Sequence, residues 1–192
     1  MSFIGIFMIG LGLSMDAFAV SVCKGLGVKQ YKVRYALITG LYFGIFQALM
    51  PLIGFVLGYQ FKVYIEAIDH WIAFFLLLAI GGNMIREAIK DDEACPVYPE
   101  NDKAFSFKAM IPLAIATSID ALAVGITFAF LHVPIIQAVC IIGITTFVIS
   151  FAGVKIGNVF GSKFKKRAEI AGGIILILIG AKILLEHLGI IG

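Results

Sequence analysis

Leu13-Ser14-Met15-Asp16-Ala17-Phe18-Ala19-Val20-Ser21 places a carboxylate in the middle of an apolar run from Phe3 to Val22. About twenty such residues are what an α-helix needs to cross the hydrocarbon core of a bilayer. An ionised Asp at that depth costs about 2.5 to 3.5 kcal/mol on insertion scales, so it is expected to face the bundle interior and hold a partner. The stretch recurs. Ala116-Thr117-Ser118-Ile119-Asp120-Ala121-Leu122-Ala123-Val124-Gly125 repeats the S-x-D-A-x-A-V core inside a second apolar run. Two aspartates in matching frames read as one site built twice.

Outward from these stretches, 61% of the 192 residues are hydrophobic and only 14% charged. No water-soluble domain with a polar shell has that composition, so the chain reads as an all-α integral membrane protein. Six apolar segments, 3–22, 36–58, 71–89, 108–130, 135–157 and 169–188, are each long enough to span. The odd-numbered connections hold twelve of the basic residues and the even-numbered ones hold only Lys62. The positive-inside rule therefore predicts odd connections in the cytoplasm and both chain ends outside. A net charge of +3, spread over short loops, speaks for orientation and against nucleic-acid binding. Asp16 and the absence of a basic leader or cleavage site argue against a removable signal peptide. Cys23, Cys95 and Cys140 have no metal or redox spacing and read as ordinary packing or loop residues.

The halves match beyond the aspartates. Gly40, Gly54, Gly58 and Phe61 align with Gly143, Gly157, Gly161 and Phe164, and Leu77, Ile80, Gly81 and Glu87 with Leu176, Ile179, Gly180 and Glu186. Residues 1–90 and 106–192 then form two three-helix repeats joined by an acidic cytoplasmic linker, 91–105. Three spans per half is an odd number, so the second half enters the membrane from the opposite face. Such inverted repeats belong to secondary transporters, whose site lies near the midplane between the halves. Glycines four apart, Gly54/Gly58 and Gly153/Gly157/Gly161, predict close helix packing.

Helical spacing supplies the surroundings of the aspartates. Thr117 shares a face with Asp120, whereas Ser14 and Ser118, two residues before their aspartates, are expected to point elsewhere. Gln47 lies one turn before Pro51, and its repeat mate Ser150 lies one turn after Thr146. The mid-membrane set is Asp16, Gln47, Thr117, Asp120, Thr146 and Ser150, all oxygen donors. Such a set suits a hard divalent cation, while the absence of an intramembrane His or Cys cluster disfavours zinc or copper. His70, His132 and His187 read as surface or interface residues, and Lys155 and Lys182 as snorkelling cations. Two facing carboxylates without metal do not both ionise cheaply, so metal binding is expected to expel protons and alternating exposure to give cation/proton exchange.

Other readings remain open at this point. A small cationic amino acid also pairs with two carboxylates, and an intramembrane aspartyl protease uses two spanning aspartates, although Thr117-Ser118-Ile119 before Asp120 departs from that family's G-x-G-D. The motifs D-A-F-A-V-S with Gly25, Gln47-Ala-Leu-Met-Pro51-Leu-Ile-Gly54, Gly81-Gly-Asn-Met-Ile, A-T-S-I-D-A-L-A-V-G and A-G-G-I-I-L-I-L-I-G resemble the bacterial manganese efflux pump family MntP over essentially the whole chain. The resemblance implies a six-span inner-membrane exporter of Mn2+, related in architecture to LysE-type exporters, with no prosthetic group and no enzymatic activity. It carries the family's aspartates onto Asp16 and Asp120 and its polar second-span position onto Gln47.

Overall fold

A computed structural model describes residues 3–28, 30–61, 69–90, 102–131 and 133–160, with single helical positions at 170, 174, 177–179, 181, 184 and 185. Cys95, His132, Lys62, Lys182, His187, the basic run at 163–167 and most of the expected sixth span lie outside the described residues. Among the described residues every regular element is helical: α1 (Phe3–Leu26), α2 (Val33–Phe61), α3 (Asp69–Lys90), α4 (Phe107–Phe130) and α5 (Ile135–Phe160). A helix satisfies its own backbone, which the interior of a bilayer demands. Four of them, α1, α2, α4 and α5, are long and apolar enough to cross a membrane. The last residues of the expected acidic linker, Asp102–Phe105, form a 3-10 turn leading into α4.

Helix α1 packs along α5, and α2 packs against both α4 and α5. The neighbours give the directions. Gly10 meets Ile142 and Gly25 meets Val154 and Asn158, so α1 and α5 run parallel. Tyr42 meets Phe107 and Gly58 meets Ala129, so α2 and α4 run parallel too. Gly40 against Phe147 and Ala48 against Gly143 make α2 and α5 antiparallel. It follows that α1 and α4, the two aspartate helices, run in opposite directions. Glycine sets the closeness of these crossings: a Cβ on Gly25 would stand 2.1 Å from the Val154 carbonyl oxygen, and one on Gly54 2.0 Å from that of Leu122.

Two apolar clusters divide the bundle along its length. One gathers Ile6, Ile9 and Leu13 of α1, Leu77 and Ile80 of α3, Val124 and Phe128 of α4 and Ile142 of α5. The other gathers Ala17, Tyr35, Phe43, Ala104, Phe105, Met110 and Ala114. On α1 the gap between the clusters holds Ser14 and Asp16; on α4 it holds Thr117, Ser118 and Asp120. The polar residues thus form a belt between two apolar layers.

Asn158 of α5 closes the end of α1 by donating its amide to the carbonyls of Val28 at 2.6 Å and Gly25 at 3.3 Å. The Gly25 carbonyl, in the last turn of α1, otherwise receives only the long 3.4 Å bond from the Val28 N–H, and Val28 lies past the helix end, where the helical donors have run out. Asn158→Ala is expected to cost about 1 kcal/mol, read as a lowered thermal midpoint of the detergent-solubilised protein. One cysteine departs from its expected packing role: Cys23 is disulfide-bonded, while Cys140 is free and exposed. Sequence spacing carries no information on such a pairing, which depends on tertiary approach of the two Cβ atoms.

Candidate functional site

Asp16 and Asp120 occupy the same place in α1 and α4, helices of 24 residues each. Both are partly buried. The helices that flank them carry the remaining oxygen donors of the belt. Gln47 on α2 and Thr146 and Ser150 on α5 are all 0% exposed.

Two consecutive residues of α1 receive side chains from both neighbours. Gln47 Nε2 donates to the Leu13 carbonyl oxygen at 3.0 Å, and Ser14 Oγ pairs with Thr146 Oγ1 at 2.9 Å. Ser14 also donates to the Gly10 carbonyl oxygen at 2.5 Å. Two buried oxygens of the belt have no hydrogen-bond partner: Gln47 Oε1 and Ser150 Oγ. A buried acceptor left unpaired costs about 1 to 3 kcal/mol; Thr39 Oγ1, two turns earlier on α2, is in the same state. Pro51, inside α2, lacks an N–H and so leaves the Gln47 carbonyl without its helical donor.

The sequence-predicted residues divide accordingly. Gln47 and Thr146 reach α1 just before Asp16, at Leu13 and Ser14, and Ser150 lies one turn after Thr146 on α5. Thr117 is buried but donates to the Ala114 carbonyl oxygen of its own helix at 3.3 Å. Ser14, expected to point away from Asp16, joins the belt through Thr146. Spacing along α1 alone does not reveal this, because the partner is on α5. Its signal in the sequence is the paired frame, Ser14 before Asp16 and Ser118 before Asp120. Ser118 keeps to its own helix, bonding the Ala114 carbonyl at 2.5 Å. Among the described residues no group of three or more His, Cys, Asp or Glu side chains gathers to hold a metal. Among the described residues, the belt offers a cation the carboxylates of Asp16 and Asp120 and neutral oxygens.

Lys24 closes one end. Counted in the sequence among the loop cations, it is 1% exposed. Its ammonium donates to the Ala104 carbonyl oxygen at 2.5 Å and stands 5.2 Å from the centroid of the Phe105 ring. Phe105 in turn stacks on Tyr35 at 4.3 Å. The end of α1, the 3-10 turn and the start of α2 are thereby tied together, on the side where the aromatic cluster lies.

The chain matches the profile of the Mntp family, described as "Putative manganese efflux pump", over residues 30–184. Proteins named "Putative manganese efflux pump MntP" from Desulfitobacterium hafniense and Acetivibrio thermocellus are 63% and 60% identical to it. They align over 97% and 100% of this chain and over 96% and 94% of their own lengths. A third so named, from Mannheimia succiniciproducens, is 55% identical over 97% of this chain and 98% of its own. No solved structure matches the chain.

Proposed function

We propose that this chain, which belongs to the MntP family of manganese efflux pumps, carries Mn2+ out of the cytoplasm by alternating access in exchange for protons. The observation that carries the reading is the pair of fully buried, unpartnered oxygens, Gln47 Oε1 and Ser150 Oγ, in the belt that holds Asp16 and Asp120. Carboxylates with amide and hydroxyl oxygens are the ligands a hard divalent ion prefers. We place the ion between Asp16 and Asp120, with Gln47, Thr146 and Ser150 completing the shell and Thr117 at its edge.

Two inverted three-helix repeats account for the packing. Under that symmetry α1 exchanges with α4 and α2 with α5, so the α1–α5 contact has the α4–α2 contact as its mate; both are extensive. The opposite directions of α1 and α4 support the same scheme, as does the place of Gln47 and Ser150 at matching positions. The two apolar clusters flank the belt, so access from either side requires one of them to part. On the aromatic side that means separating Lys24 from Ala104 and Phe105. The positive-inside rule places this side in the cytoplasm of a bacterium, with both chain ends outside the inner membrane. The relatives are named as pumps, which leaves the aspartyl protease reading without support.

Calorimetric titration of the purified protein with Mn2+ in two buffers of different ionisation enthalpy tests the proposal. Binding that releases protons, with an apparent affinity that falls as the pH is lowered, is the expected result, because protons and metal compete for the same carboxylates. In liposomes, Mn2+ flux is expected to drive an opposite proton flux visible with an entrapped pH dye. Flux that neither moves protons nor responds to a pH gradient overturns the exchange. Heat from lysine and none from Mn2+ puts the cationic amino-acid reading in its place.

A further inference from the structure

Lys24 is a buried ammonium that the cation site does not use. Its side chain is 1% exposed, and its contacts include the Ala104 carbonyl oxygen at 2.5 Å and the Phe105 ring, whose centroid is 5.2 Å away. The Phe105 ring lies flat on that of Tyr35, with 11° between their planes. Tyr35 has an ammonium of its own: Lys32 donates to its hydroxyl at 3.3 Å and stands 5.3 Å from its ring centroid. An ammonium over an aromatic face is attracted by the ring quadrupole, most strongly where water is excluded. These contacts cross a seam. Among the described helices α1 packs closely on α5 alone and touches α2 and α4 sparingly, so Lys24 ties the end of α1 to elements on the far side.

The two ends of the bundle are repeat mates, and only one has this tie. In the register that aligns Asp16 with Asp120, Ile6 corresponds to Met110, Ala17 to Ala121 and Lys24 to Phe128; in the one that aligns Gly40 with Gly143, Tyr35 corresponds to Ala138. Ala17, Tyr35 and Met110 belong to the aromatic cluster, which Lys24 borders through Phe105. Ile6, Ala121, Phe128 and Ala138 belong to the other. Apolar contact alone closes that end, whereas the aromatic end adds a charge held by a carbonyl and a π face. From this one-sided arrangement we infer that Lys24 is a latch: its bond to Ala104 and its place over Phe105 hold the aromatic end closed, and their release opens the belt on that side. The inference rests on the alternating access proposed above and deepens it. An ammonium that leaves a buried carbonyl for water exchanges one hydrogen bond for another, so the latch is undone at a modest net cost. Parting an apolar closure has no such compensation.

The test is alkylation of the full chain in detergent by a charged maleimide, which reaches both ends of the bundle. Cys140, free and exposed, is replaced by Ser, and a thiol is placed in one cluster or the other as Ala17→Cys or Ala121→Cys, both at side chains 0% exposed. Lys24→Met keeps the length of the side chain without its charge. It is expected to speed labelling of Ala17→Cys about tenfold, the population shift that follows when a hydrogen bond to a charged group is removed from one of two states. Labelling of Ala121→Cys stays as in the parent or falls. Phe105→Leu, which removes the π face and keeps an apolar side chain, is expected to act in the same direction. Parent rates at Ala17→Cys in both variants overturn the latch, and so does a parallel rise at both reporters, which is what general loosening produces. With Lys24 in place, Mn2+ is expected to move the two reporters in opposite directions. Reporters that ignore Mn2+ or move together overturn alternating access itself, so the two failures are told apart.

Discussion

Asp16→Asn and Asp120→Asn are each expected to abolish Mn2+ efflux and to weaken Mn2+ binding by roughly a hundredfold or more. Every 1.4 kcal/mol is a factor of ten in affinity. A full charge in contact with a divalent ion at an effective dielectric of about 20 is worth several times that. Asn keeps the shape and one oxygen of the carboxylate, so the loss measures charge and not packing. Taking a charge out of the belt removes the cost of holding it there, and since both aspartates have partners in the bundle that an Asn oxygen or amide can still meet, the melting midpoint is expected to stay close to the parent's while transport disappears. Efflux that persists in both variants removes Asp16 and Asp120 from the mechanism.

Gly125→Ala is expected to prevent the bundle from closing. Its new Cβ would stand 2.1 Å from the Pro51 carbonyl oxygen and 2.5 Å from Pro51 Cα, where ordinary contact begins at 3.4 Å. Both are backbone atoms of a helix and have no rotamer into which to retreat. Helices α2 and α4 must part, at a cost of about 3 kcal/mol or more, and the parting moves Asp120 away from Gln47. Reduced yield of folded protein and a lowered melting midpoint are the readouts. Gly54→Ala, with its Cβ 2.0 Å from the Leu122 carbonyl oxygen, is expected to act alike at the same crossing. Gly82→Ala is the control: no atom lies within 4 Å of its Cβ position, and Ala is the better helix former. A neutral Gly125→Ala overturns the account of the crossing.

The chemistry of these residues was legible to different depths. Asp16 and Asp120 announce themselves because a carboxylate in an apolar run of spanning length has no ordinary structural use. Gln47, Thr146 and Ser150 followed from the shortage of polar residues in α2 and α5, where a polar side chain stands out. Ser14 did not, because serine is common in membrane helices and satisfies itself on the preceding turn. Its second bond appears only once α5 is laid beside α1. Lys24 misled for a related reason. Position next to a polar loop made it a topology marker, whereas the 3-10 turn at Asp102–Phe105 folds over it and supplies a carbonyl and an aromatic face. Cys23 in a disulfide belongs to the same class.

The sequence by itself determined the membrane class, the spans described here as α1, α2, α4 and α5, the repeated aspartate frame and the family. Each of these rests on local chemistry: an apolar run has to bury its own backbone hydrogen bonds in a helix, whatever surrounds it. Only the tertiary structure decided that α1 lies along α5, that Leu13 and Ser14 hold Gln47 and Thr146, and which oxygens are left unpaired. Those outcomes depend on the rotation and register of one helix against another. Backbone contacts at Gly25, Gly54, Gly125 and Gly157 set both, and the partner in each is far away in the chain.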